Sequence, residues 1–156
     1  MAMARRIKVT HEDVFPHGAY LVSEVQQVVD FDRSTREMRY QQTDKDTGLL
    51  LWQVDVLDAD PEAKRSSRAV SVKIAAKVQP VPPANESEGP FTPVVFQGLT
   101  ALPYVEAVSE SFSRIAWSFR AETMHSTKPA TGASSSGRAA ASASGAGEGM
   151  SAGKVA

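Results

Sequence analysis

The sequence predicts a mainly β protein: a small five-stranded antiparallel barrel of the oligonucleotide/oligosaccharide-binding (OB) kind, with a disordered C-terminal tail. Three observations carry this. Five stretches, near 20–31, 50–58, 69–78, 93–100 and 114–121, alternate apolar and polar residues at the period of a strand. Turns or modest loops join them, and no long amphipathic helix stands between any two. Past His125 the composition collapses to Ala, Ser, Gly, Thr and Pro. A β-sandwich with an additional N-terminal strand is the second architecture this pattern allows.

Residues 1–19 read as a leader, closed by a turn at Phe15-Pro16-His17-Gly18. The β-barrel domain is expected over 20–125. In 20–31, Val25, Val29 and Phe31 keep alternation while Val28 breaks it. A strand bulged near Gln26-Gln27 accounts for the break; a short helix holding Leu21, Val25, Val28 and Val29 on one face also does, though the β-branched content favours the strand. After a polar connector and a short extended piece at Met38–Thr43, Asp44-Lys45-Asp46-Thr47-Gly48 has the chemistry of a turn. It leads into the clearest strand, where Leu50, Trp52, Val54 and Val56 share one face and Gln53 and Asp55 the other. Trp52 should anchor the core.

Asp60 followed by Pro61 suggests an N-capped helical turn to Arg65. Val70, Val72 and Ile74 then face inward, with Ser71, Lys73 and Lys77 outward. Gly98 within 93–100 marks a bulge or sharp bend. Residues 102–108 read as one turn of helix. In the last strand Ile115, Trp117 and Phe119 face one way, and Trp117 is expected in the core with Trp52. Residues 126–156 lack the apolar surface to offset the entropy of ordering.

The 156 residues are 42% hydrophobic, enough for one core, and carry a formal net charge of −1. Lys128, Arg138 and Lys154 against Glu148 make the tail net +2, which leaves −3 for the body. Bulk charge therefore draws the chain neither to DNA nor to acidic lipid; nucleic-acid binding needs cations segregated on one face. The chain has no cysteine, so disulfides, thiolate metal sites and cysteine nucleophiles are excluded. No apolar run follows the basic start, and none approaches bilayer length, so a cytoplasmic protein without membrane partners is expected.

Enzyme constellations are missing. His11, His17 and His125 flank the strands and read as exposed and solvated. Asp44-x-Asp46-x-Gly48 lacks the remaining ligands of a calcium loop, so its aspartates read as turn caps. No Walker or GxGxxG pattern occurs, and no cofactor is implied. One positive signal remains. Lys73 and Lys77 on the third strand, Arg114 and Arg120 on the last, and Arg39 with Tyr40 before the turn make a basic stripe if the strands adjoin. Cations tracking phosphates and rings stacking on bases is how single strands are held. Lys73, Lys77, Arg114, Arg120 and Arg39 are the candidate phosphate contacts, and Tyr40 the candidate stacking residue.

Four phrases together carry a family resemblance: Asp44-Lys45-Asp46-Thr47-Gly48 with Leu51-Trp52-Gln53-Val54-Asp55-Val56; Val72-Lys73-Ile74 with Gln79-Pro80-Val81-Pro82-Pro83; Pro93 to Thr100; and Arg114 to Ala121. Over most of residues 5–122 the chain resembles small proteins of actinobacterial integrative and conjugative plasmids described as replication, integration and excision activators. The resemblance implies a non-enzymatic accessory protein of a mobile element, acting beside a replication initiator or an integrase. The strand order also looks like that of the OB-type helix-destabilising proteins of filamentous phages, which bind single strands. Single-stranded DNA is therefore the expected ligand, and a second copy of the chain is a further candidate partner. The alternative is a protein-interaction module that takes a partner's strand at a sheet edge.

Overall fold

The computed structural model describes residues 3–127. It is mainly β, a single curled sheet of nine strands with one short helix. Five strands were expected; three of the additional ones arise where long strands break or bend, and β1 lies in the segment read as leader. The strands are β1 (Ile7–Lys8), β2 (Ala19–Leu21), β3 (Gln26–Gln27), β4 (Leu51–Asp58), β5 (Ala69–Ala75), β6 (Thr92–Gln97), β7 (Thr100–Ala107), β8 (Ser113–Ala121) and β9 (Thr123–Ser126). Helix α1 spans His11–Val14, and a 3-10 turn spans Arg65–Ser67. The pairing order is β1-β7-β8-β5-β4-β2-β6-β9, with β3 also on β4.

The sheet is mixed, not antiparallel as expected, because β5 and β8 run parallel, with Val72, Lys73 and Ile74 opposite Phe119, Arg120 and Ala121. The other ladders are antiparallel.

The segment 20–31 is neither one bulged strand nor a helix. It breaks after Leu21 because the Ser23 hydroxyl, in place of a main-chain carbonyl, accepts the Asp55 N–H at 2.8 Å. Pairing with β4 resumes at Gln26 and Gln27. The predicted bend at Gly98 is present. Gly98 adopts φ +66°, and a Cβ there would lie 2.7 Å from the Glu122 side chain. The ladder keeps one register through this corner: Val94↔Ser126 and Gln97↔Thr123 before it, Thr100↔Arg120 and Ala107↔Ser113 after it. Residues 92–107 and 113–126 thus form one long hairpin bent midway. One half joins the sheet beside β2 and the other beside β5. The helical turn expected at 102–108 is displaced by this ladder, which runs through all of β7.

The inward faces meet in a core of Val54, Val56, Val72, Ile74, Val94, Phe96 and Trp52. Trp52 anchors it as expected, and its indole N–H donates to the Ala76 carbonyl at 3.1 Å. Residues 1–19 contribute more than a leader would, since Phe15 is 1% exposed. His11, expected in solvent, is buried between Phe15 and Phe96, with ring centroids 5.3 and 6.0 Å away. Its Nδ1 accepts the Phe96 N–H at 3.2 Å. The capping box of Thr10 and Asp13, which starts α1, holds it there.

Trp117 departs from expectation in the opposite sense. It lies on the same side of β8 as the packed Phe119, yet is 49% exposed, and Ile115 is 71% exposed. The reason is topological. The ladder of β5 with β8 begins at Phe119, so the outer half of the β7–β8 hairpin extends past the strands that would cover it. Asp60 does cap a turn, its carboxylate accepting the Glu62 N–H at 2.9 Å, but 3-10 geometry follows at Arg65–Ser67 and no α-helix forms. Of the tail predicted for 126–156, Ser126 closes β9, and everything from Lys128 on lies outside the described residues.

Candidate nucleic-acid interface

Lys73 is the centre of the outward face. Alternation along β5 turns it away from Val72 and Ile74, which are fully buried. Its register partners are Gln53 on β4 and Arg120 on β8, so these three side chains share one side of the sheet. The adjacency that a basic stripe requires is therefore present between the third and last predicted strands.

The cations of the predicted stripe differ in what they meet. Arg120 is not an open phosphate contact. Its guanidinium donates to the Asp44 carboxylate and lies 3.5 Å from that of Asp46. Asp44 is only 5% exposed and also accepts the Thr47 hydroxyl at 2.7 Å. Burial by itself would raise the Asp44 pKa; the Thr47 hydrogen bond, the Arg120 charge and the Asp46 N–H outweigh it and hold the carboxyl below its ordinary value. Asp44 does cap the turn, as expected, accepting the Asp46 N–H and the Thr47 hydroxyl, and both aspartates tie the turn to β8 through Arg120. Arg114 is exposed and pairs with Glu106, its cross-strand partner on β7, at 2.7 Å. Lys77 lies beyond the strand predicted to hold it. Strand β5 ends at Ala75, where Ala76 turns to donate to the Leu50 carbonyl at 2.9 Å. Arg39 is exposed in the loop between β3 and β4. One face of the Tyr40 ring is covered by the Arg33 guanidinium, 5.0 Å from the ring centroid.

Two clefts flank Lys73, and it lines both. The first, about 570 Å³, lies between Arg5 and Arg6 ahead of β1, the Asp44–Asp46 turn and Arg120. The second, about 710 Å³, opens where β5 and β8 part, and is walled by Ser71, Tyr104, Arg114 and Trp117. Tyr104 is 46% exposed, close to Trp117 in that respect. Lys77, Arg39 and Tyr40 line neither cleft.

Sequence reasoning missed Arg5, Arg6, Tyr104 and Trp117. The arginines fall in a segment read as leader, and Tyr104 in one read as helix. Trp117 alternates like a core residue, and nothing local signals that its strand outruns its cover. No protein-family model matches the chain, and no curated protein or solved structure does. No helix among the described residues is long and apolar enough to cross a membrane.

Proposed function

We propose that this chain is a non-enzymatic accessory protein of a mobile genetic element that binds single-stranded DNA across the outward face of β5 and β8, on an OB-like barrel. The observation that carries the reading is the cleft beside Lys73. It combines an exposed aromatic ring, Tyr104, with two cations, Lys73 and Arg114, on the outward side of the sheet. Rings stack on bases and cations follow phosphates, the two requirements of a single-strand groove.

The pairing order supports the OB-like part. Taking β2 with β3, β4, β5, the bent strand β6–β7 and the bent strand β8–β9 as five strands, the first three pair in sequence. The third then pairs in parallel with the fifth, and the fourth pairs with both fifth and first. In OB domains the face of the second and third strands and the neighbouring loops bind oligonucleotides. Here that face carries Gln53, Asp55, Ser71 and Lys73, with the Ser71 hydroxyl donating to Asp55. The loop between first and second strands carries Arg39 and Tyr40, which keeps them as peripheral contacts. A replication initiator or integrase is the proposed protein partner.

Fluorescence anisotropy of a labelled single-stranded oligonucleotide with the full chain tests the reading. Binding that weakens with salt is expected, and the Lys73→Ala and Tyr104→Ala variants should each lose affinity. Wild-type affinity in both variants would contradict it.

One observation favours a second reading, a protein-interaction module. Val105, Ile115 and Trp117 leave an apolar side of the hairpin uncovered, at 73%, 71% and 49% exposure. Protein capture there would survive high salt, whereas binding to phosphates would not.

A further inference from the structure

We propose that the cleft between Arg5–Arg6, the Asp44–Asp46 turn and Lys73 is a subsite for one phosphate group of the bound strand. This rests on the nucleic-acid reading above and extends the site to the segment ahead of β1.

The charge distribution points there first. Arg5, Arg6, Lys45, Lys73 and Arg120 line the cleft against two carboxylates, Asp44 and Asp46. A body of net −3 thus gathers three excess positive charges in one depression. Both carboxylates are engaged by Arg120. No carboxylate lies within salt-bridge distance of Arg5, Arg6, Lys45 or Lys73 among the described residues.

Arg6 supplies the second, independent observation. Its Nη1 is buried and has no hydrogen-bond partner among the described residues. Buried donors are almost always satisfied, so an orphan of this kind calls for an acceptor. Arg68 shows the ordinary alternative. Its Nε is also unpartnered, but its Nη2 donates to the carbonyls of Pro61 and Ala63 at 3.3 and 3.2 Å. Arg6 has no equivalent anchor. Burial, then the charge of Arg120, press the Arg6 guanidinium below its ordinary value against the pull of Asp44 and Asp46. An anion that draws the Arg6 side chain into the cleft would both accept from its guanidinium and offset the Arg120 charge.

The placement is built into the fold. Pairing of β1 with β7 sets Ile7 opposite Ala101 and Lys8 opposite Thr100, which carries Arg6 to the level of Leu102, on the outward side. Leu102 lines the same cleft. Guanidinium forks suit phosphate because two parallel N–H groups match two of its oxygens. A volume of about 570 Å³ leaves room for the attached sugar.

The test is a titration of the full chain with inorganic pyrophosphate at low salt, following the backbone amide shifts of Arg6, Asp46 and Lys73. Saturable shifts confined to these residues are expected. Arg6→Gln should weaken pyrophosphate binding about tenfold, the value of one lost charge-assisted hydrogen bond. The double variant Arg5→Ala/Lys45→Ala, at two exposed positions that do not threaten folding, should weaken it several-fold. Pyrophosphate should also compete with a labelled oligonucleotide. An oligonucleotide that binds while pyrophosphate neither shifts these amides nor competes would overturn the subsite and leave the strand reading intact. Pyrophosphate binding without oligonucleotide binding would overturn the strand reading and keep the cleft as a phosphate site. Comparison of 5′-phosphorylated and unphosphorylated oligonucleotides assigns the group: tighter binding of the phosphorylated strand means a terminal phosphate, equal binding an internal one.

Discussion

Lys73 and Arg120 stand opposite each other across the parallel ladder of β5 and β8, on the same side of the sheet, but in different electrostatic states. Arg120 is held by Asp44 and Asp46, whereas no ion pair involves Lys73 among the described residues. Adjacent cations at one level of the sheet thus divide into a structural one and one available to a ligand.

The structural role of Arg120 predicts a stability effect. Arg120→Ala leaves Asp44, 5% exposed, without its counter-charge. Breaking a buried pair from one side costs about 3 kcal/mol. The double variant Asp44→Asn/Arg120→Met removes both charges and should lose less than Arg120→Ala alone. Urea midpoints of the three proteins check this. A midpoint for Arg120→Ala equal to wild type would show that the turn is not held by this pair.

Stability should fall as the pH drops. Burial pushes the His11 pKa below its ordinary value, and its Nδ1 must be unprotonated to accept the Phe96 N–H. With the folded value below the unfolded one, the unfolded chain binds the proton first. The stabilisation is complete above the unfolded value of about 6.5 and is lost as the pH falls through the folded one. Asp44, also lowered, adds a second loss below about pH 4. Chemical denaturation at pH 7 and pH 5 should show lower stability at pH 5, and the difference should shrink in His11→Phe. An unchanged difference would remove His11 from the account.

The two tryptophans should behave as opposites. Trp52 is 6% exposed and Trp117 49%. With Trp52→Phe, the remaining Trp117 emission should be readily quenched by acrylamide. With Trp117→Phe, the Trp52 emission should resist acrylamide. Truncating the core tryptophan to alanine should cost about 3–5 kcal/mol, and truncating Trp117 well under 1 kcal/mol. Similar quenching of both would contradict the uncovered hairpin.

Gly98→Ala should destabilise by about 1 kcal/mol through backbone strain, since alanine resists φ +66°. The nearby Glu122 side chain is exposed and can swing away. Adding Glu122→Ala should therefore recover little. Full recovery in the double variant would place the cost in the clash and not in the backbone.

What was legible in the sequence follows from which interactions are local. Alternation in 50–58 and 69–78 placed Trp52, Val54, Val72 and Ile74 in the core, because a strand's period exposes its buried face directly. Gly98 announced its bend by residue type. The parallel pairing, the sharing of Arg120 with Asp44 and the orphaned Nη1 of Arg6 join residues far apart in the chain, and no periodicity reports them. Trp117 misled for the same reason. Its pattern reads as core, and only the length of the hairpin relative to β5 reveals that nothing lies over it.

The central claim is that a single strand lies against Lys73, and its most direct test is the salt dependence of oligonucleotide binding by wild type and Lys73→Ala. For wild type, the logarithm of affinity should fall linearly with the logarithm of salt concentration. In Lys73→Ala the affinity should drop and the slope shrink by about one phosphate contact. An unchanged slope and affinity in Lys73→Ala, or wild-type binding indifferent to salt, would contradict the account.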